Sequence, residues 1–161
     1  MDKYLLTRQE IEEYEGTEKT HFLNPGAKRL NKSLGDLTGI TGFGFHIIEV
    51  QPGDETTEMH RHYHEDECVY VLQGDAEAQI GDDVFAIHAG DFIGYRAGGL
   101  GHTIRNTGKD VLKCIVVGER LDFDVADYTK LNKRIYRQKD MPWNLVDIAA
   151  IIQPPPTAGK K

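Results

Sequence analysis

Three histidines alternate along one short stretch, Met59-His60-Arg61-His62-Tyr63-His64. Residues two apart on a β-strand share a face, so the imidazoles of His60, His62 and His64 would all point one way. An acidic turn, Glu65-Asp66-Glu67, follows, and then an apolar run, Cys68-Val69-Tyr70-Val71-Leu72. Neutral imidazole combined with carboxylate suits Zn, Fe(II), Mn, Ni or Cu(II), and the mixed nitrogen and oxygen donors discriminate little among them. The chemistry in prospect is that of one divalent transition metal, if the histidine face is the interior of the fold.

The elements around this stretch are short. From Phe43 to Val117 the chain reads as eight runs rich in Val, Ile, Phe, Tyr and Thr: Phe43–Val50, Thr56–His64, Cys68–Gln73, Ala76–Ile80, Val84–His88, Phe92–Tyr95, Thr103–Asn106 and Leu112–Val117. Clusters of Gly, Asp, Pro and Asn separate them, which is the pattern of strands and turns. Strands at this spacing, with no helical segment between them, predict an all-β sandwich or closed barrel. A parallel sheet would have no room for its crossovers. Residues 1–35 read as a polar N-terminal extension with one short helix, where Thr7-Arg8-Gln9-Glu10 forms a capping-box pattern and Gly16 stops it. Residues 36–120 are the expected barrel and 121–161 a C-terminal tail, with a helix expected from Val125 to Gln138 around Leu131 and Ile135. The segment Gln153-Pro154-Pro155-Pro156-Thr157 and the closing Ala-Gly-Lys-Lys have nothing to bury, and a disordered or extended arm is expected there.

With 161 residues and 18.1 kDa, the chain is the size of one globular domain. Lysine and arginine number 19 against 26 aspartate and glutamate, a net charge of −7, and no basic patch stands out; a nucleic-acid or anionic-membrane partner is not expected. The longest apolar stretches, Cys114–Val117 and Ile148–Ile152, fall far short of the roughly 20 residues that span a bilayer. Met1-Asp2-Lys3-Tyr4 has none of the apolar character of a secretory signal, so a cytoplasmic location is expected. Cys68 and Cys114 sit in separate apolar runs and read as two buried, reduced thiols.

Two spacings carry a resemblance. Gly53, six residues, His60-Arg61-His62, four residues, Glu67, six residues, Gly74 resembles the first signature of the cupin superfamily, with one extra residue after Gly53. Gly99, two residues, His102, three residues, Asn106 resembles the latter half of its second signature, although Ala97 stands where a proline is expected and Gly90 is displaced by one position. The resemblance implies a double-stranded β-helix, or jelly-roll, barrel with one metal bound by His60, His62, Glu67 and His102. Strand parity agrees with it: if His60 and His62 face inward then Arg61 and Tyr63 face outward, and Ile104 and Asn106 share the face of His102. Glu67 has the opposite parity to His62, so the Glu65-Asp66 turn must reset the register. A buried Glu67 without a cation would be costly, which favours a bound ion over an empty polar pocket.

The family resemblance leaves the reaction open. Small cupins of this size resemble the sugar-phosphate isomerase branch, and a metal-dependent aldose–ketose isomerisation of a small polar molecule is the leading expectation. Such an enzyme needs a base, for which His64 and Glu49 are candidates. It also needs an anion clamp, for which Arg96 is the first candidate, with Tyr95 as a nearby hydrogen-bond donor and Lys28, Arg29 and Lys32 as an alternative cluster. His64 has other possible roles, as a replacement ligand or as a solvent-facing strand end, while His21, His46 and His88 read as surface or strand polar residues. The alternatives are an Fe(II) dioxygenase using the same ligands in a dry pocket and a non-enzymatic module that binds or senses a small ligand. A homodimer is expected, because the terminal segments have no core of their own.

Overall fold

The fold is that of a computed structural model, which describes residues 3–155. A short helix α1 (Arg8–Glu13) opens the chain, capped as the Thr7-x-x-Glu10 pattern predicts: the Glu10 N–H donates to the Thr7 hydroxyl and the Thr7 N–H to the Glu10 carboxylate. Two strands follow, β1 (Thr17–His21) and β2 (Asn24–Ser33), and then a single helical turn α2 (Leu34–Leu37). Next come β3 (Phe43–Val50), β4 (His60–His62), β5 (Glu67–Gln73), β6 (Asp75–Ile80), β7 (Asp83–His88), β8 (Phe92–Tyr95), β9 (His102–Arg105) and β10 (Leu112–Glu119). The chain closes with β11 (Phe123–Tyr128), β12 (Lys133–Gln138), β13 (Asn144–Asp147) and one turn of 3-10 helix (Ile148–Ala150).

These strands form two antiparallel sheets, one ordered β1-β2-β3-β10-β5-β8 and the other β13-β12-β11-β4-β9-β6-β7. The sheets face each other as a jelly-roll barrel, and the eight runs read from 43 to 117 are its strands β3 to β10. Alternation does the sorting. Ile48 and Val50 on β3, Val69 and Val71 on β5, Ala76 and Ala78 on β6 and Ile104 on β9 turn inward, with Leu112 and Cys114 on β10 completing the core. Each fully buried branched side chain contributes roughly 1.5–3 kcal/mol. The fully buried Asn106 closes the barrel end: its amide donates to the carbonyls of Val50 at 2.8 Å and Asp110 at 2.9 Å, and its oxygen accepts the Gly108 N–H. Gly74, the last residue of the first signature, has φ +91° and would place a Cβ 3.0 Å from the Val111 carbonyl, so only glycine turns β5 into β6 here. Both cysteines are free, Cys114 in the core and Cys68 partly buried.

Three sequence expectations change. No helix forms between Val125 and Gln138; that stretch lies in the hairpin β11–β12, so the C-terminal appendage is sheet instead of helix. Leu131 and Ile135, four residues apart, suggest a helix, but Asn132 takes a positive φ of 52° and turns the chain, and β11 is claimed by pairing with β4. Residues 17–33, expected only as part of a polar extension with one short helix, are sheet: β1 and β2 form a hairpin whose second strand pairs with β3. The run Thr56–His64 is a strand only at His60–His62, so His64 lies beyond it. Of the proline-rich tail, Gln153, Pro154 and Pro155 carry no regular structure, and the remainder of the expected arm, from Pro156 on, lies outside the described residues. Among the described residues no helix is long and apolar enough to cross a membrane.

Candidate metal centre

The barrel encloses a cavity of about 580 Å³ lined from both sheets. β4 brings His60 and His62 to it, and β9 brings His102, paired directly opposite His60. Glu67 enters from the first residue of β5 in the other sheet, since the Glu65-Asp66 turn carries the chain across and resets the parity so that Glu67, Val69 and Val71 share the inner face. Ligand atoms of His60, His62 and Glu67 lie within 4.8 Å of one another. His102 stands beside them with its ring centroid 4.7 Å from that of His60, although it falls outside that tight trio.

Each imidazole is oriented from behind. Nδ1 of His60 faces the Glu58 carbonyl at 2.9 Å, Nδ1 of His62 the Asp124 carboxylate at 2.7 Å and Nδ1 of His102 the Leu100 carbonyl at 3.3 Å. An acceptor at Nδ1 puts the proton there and leaves the Nε2 lone pair for the cavity. The Nε2 of His102 is buried without any hydrogen-bond partner, which is the signature of an atom that needs a ligand. The residues therefore fit a divalent cation: three imidazoles and one carboxylate, borderline donors suited to Zn, Mn, Fe or Ni.

The electrostatics agree. Burial, with His102 and His62 as near neighbours, pushes His60 well below the usual imidazole range, and burial lowers His102 to about 4. Both are neutral at pH 7. Glu67 is pushed up by burial, partly offset by His62 and Arg29, so its carboxylate lacks a sufficient cation of the chain's own. Behind the histidines, Asp124 is fully buried on β11. Burial opposes its charge, but the hydrogen bonds from His62 and Arg137 outweigh this and hold it well below the usual carboxylate range. Arg137 on β12 bridges Asp124 at 2.7 Å and Glu65, and the backbone N–H of His64 donates to Asp124 at 3.1 Å. Glu65, Asp124 and His62 also form a cluster of possible ligands, but the guanidinium of Arg137 already supplies its positive charge.

A family model described as a cupin domain matches residues 46–118. A candidate sugar phosphate isomerase from Acidithiobacillus ferrooxidans, known from its crystal structure, is 48% identical and superposes with a TM-score of 0.92, covering 95% of this chain and 97% of its own. The chain belongs to the cupin family. A cupin-superfamily sugar phosphate isomerase from Silicibacter pomeroyi shares the fold at 24% identity, with a TM-score of 0.77 over 91% of this chain and 94% of its own. No curated protein sequence matches the chain.

In this cupin the other residues singled out by sequence fall into two groups. Tyr95 lies flat on His102, ring centroids 3.6 Å apart, and its buried hydroxyl has no partner; burial raises its pKa, so it faces the cavity as a neutral donor. Arg96 is exposed and lines a neighbouring depression with Phe43 and Leu100, one that shares Glu67 and Tyr95 with the cavity but none of the imidazoles. Glu49 faces outward and pairs with Lys113 on β10 at 2.8 Å, and His64 is exposed against Phe123. Neither is brought to the cavity. Arg61 and Tyr63 do face outward, onto Asp127, as parity requires. His88 is a surface residue beside Asp75, whereas His21 and His46, read as surface or strand polar residues, line the cavity. His46 was accessible to parity, since it shares a face with Ile48 and Val50. Arg29 was accessible as part of a basic cluster, but only the unforeseen strand β2 turns it inward while Lys28 points out. Asp124 and Arg137 gave no local signal, because their partner His62 lies more than 60 residues away.

Proposed function

We propose that this cupin is a metal-dependent enzyme of the sugar-phosphate isomerase type, with one divalent cation held by His60, His62, Glu67 and His102. The observation that carries the metal is the set of three imidazoles fixed through Nδ1, together with the orphaned Nε2 of His102 and the under-compensated Glu67. Support for the substrate class comes from the 48% identical relative, itself a candidate sugar phosphate isomerase. When bound, such a cation polarises a hydroxyl or carbonyl oxygen and acidifies the carbon next to it. The chain's own contribution is positional. Tyr95 offers its hydroxyl proton to a substrate oxygen from the floor of the cavity, and its stacking on His102 locks both rings. The two sheets exclude water over the apolar inner face, which strengthens every polar contact made inside. His64 and Glu49, outside the cavity, have no part in proton transfer on this reading.

The test is isomerisation of a panel of aldose and ketose phosphates by protein loaded in turn with Zn, Mn, Ni and Fe(II) in anaerobic buffer, read by solvent-deuterium incorporation at the carbon beside the carbonyl. Exchange with at least one metal, lost in Glu67→Gln, is expected. No exchange with any metal, combined with oxygen uptake by the Fe(II) protein, would replace this reading with an oxygenase. Metal bound stoichiometrically with neither activity would leave a ligand-binding module.

A further inference from the structure

Among the described residues, Arg29 is the one inward-facing arginine with no carboxylate within 4.0 Å. Arg8, Arg61, Arg120, Arg134 and Arg137 each pair with an aspartate or glutamate, and Arg96 and Arg105 are exposed to solvent. Arg29 reaches into the cavity from β2, where Nη1 donates to the Thr56 carbonyl and the buried Nε has no partner. The Glu67 carboxylate acts on it only from beyond 4.0 Å, and a guanidinium withdrawn from water without a directly paired counter-ion is costly. Its direct register partner across the β1–β2 hairpin is another cation, Lys19, which lines the same cavity from an exposed position and likewise has no carboxylate within 4.0 Å. Like charges opposite each other on one face of a sheet repel. Burial first, and then Arg29, lower the pKa of Lys19. The third group is His46 on β3. The Asn31 amide meets its Nδ1 at 3.3 Å, which makes Nδ1 an acceptor and leaves the proton on Nε2, while burial and the surrounding Arg120, Lys19 and Arg29 keep the ring neutral. Arg120, also on this wall, is satisfied by Asp36 at 2.5 Å.

We propose that Lys19, Arg29 and His46 form a phosphate-binding subsite on the β1–β3 wall of the cavity, apart from the imidazoles of β4 and β9. Two unpaired cations and one N–H donor match the charge and acceptor count of a phosphate monoester dianion, whereas a carboxylate would leave one cation uncompensated. The subsite deepens the isomerase reading and takes from it the sugar ester, but the binding of phosphate as such does not depend on turnover. The anion clamp thus sits on Arg29, not on Arg96.

The experiment is calorimetric titration of the metal-loaded protein with inorganic phosphate and with a sugar-alcohol phosphate, which cannot isomerise, beside the unphosphorylated alcohol. The wild type is expected to bind both phosphates and to bind the alcohol more weakly. Arg29→Gln should lose at least about tenfold in phosphate affinity, the worth of a charge-assisted contact, while keeping its metal content. Because Arg29 also holds the Thr56 carbonyl, Lys19→Gln serves as a second variant free of that structural bond, with a loss in the same direction. Full phosphate affinity in both variants overturns the subsite, as does phosphate binding that vanishes in a metal-free His60→Ala/His102→Ala protein but survives in Arg29→Gln, since the anion would then sit on the metal. Phosphate binding that fails in Arg29→Gln, in a protein without isomerase activity, supports the subsite and removes only the isomerase reading.

Discussion

The Nδ1 contacts of His60, His62 and His102 differ in kind: two go to backbone carbonyls and one to the carboxylate of Asp124, which no backbone shift can replace. Asp124→Asn keeps the shape but gives up the charge that makes His62 a stronger donor, and the amide can turn its NH2 to the ring and reverse the tautomer. Metal affinity, measured by competition with a chromogenic chelator, is expected to fall about 10- to 100-fold with an unchanged circular dichroism spectrum. Affinity equal to that of wild type would mean that the Arg137–Glu65 pair alone orients the ring. Asn106 supports no chemistry but holds three backbone groups at the barrel end, so Asn106→Leu should destabilise the fold by on the order of 3 kcal/mol in urea denaturation, since each stranded buried group costs about 1–3 kcal/mol. His60 and His62 are legible in the sequence because alternation along one strand is a local pattern, whereas His102 is reached only through the resemblance to the second cupin signature. The groups behind them, Asp124 and Arg137, are not legible, because what marks them is a partner brought close only by folding.

Among the elements, the N-terminal helix and the terminal strands behaved in opposite ways. α1 is specified within four residues by its capping box, and the sequence states it completely. Glu10, drawn down to about 2 by Lys3 and the Thr7 N–H and hydroxyl, has a folded-state pKa below its unfolded value near 4.5. Its contribution is therefore present above the unfolded value and lost as the pH falls towards about 2. The chemical shifts of Arg8–Glu13 should move towards coil values across that window, and not in Glu10→Gln, in which the window is abolished; helical shifts that persist below pH 2 in the wild type would show that Glu10 does not hold the cap. β1 and β2 were hidden for the reverse reason. Four of the five residues of β1 are exposed, and its alternation of Lys19 and His21 with Glu18 and Thr20 offers no apolar signal; the partner strand β3 makes it a strand. β11 and β12 resemble helix in composition, and only the turn at Asn132 reverses that, while of the eight runs between the two terminal hairpins seven match their strands to within about two residues and Thr56–His64 shrinks to His60–His62.

For the molecule as a whole, the proposed ligands come from both sheets, His60, His62 and His102 from one and Glu67 from the other, so an ion bound by them would tie the two together. Chelator treatment should lower the melting temperature in proportion to the affinity lost, by the mass-action term for a ligand that binds only the native state; an identical midpoint with and without metal would contradict binding at this site. Exposed apolar side chains, Phe92 at 66% and Val84 at 57% among them, lie on the outer edge strands β8 and β7, and a homodimer of twice 18.1 kDa is the expected mass in light scattering at micromolar concentration, with a monomer counting against it. The arrangement of the cavity also has a consequence for the order in which the protein is made. Its walls are drawn from Lys19 near one end of the chain to Arg137 near the other, and β4, the strand that carries two histidines, lies between β9 and the late-emerging β11. While the chain is still being synthesised, His62 has no Asp124 behind it, so the histidines emerge from the ribosome long before the geometry that would select an ion. If the proposed site holds an ion, loading would follow synthesis, and a chain stopped at residue 120 should be both unstable at β4 and unable to retain a cation.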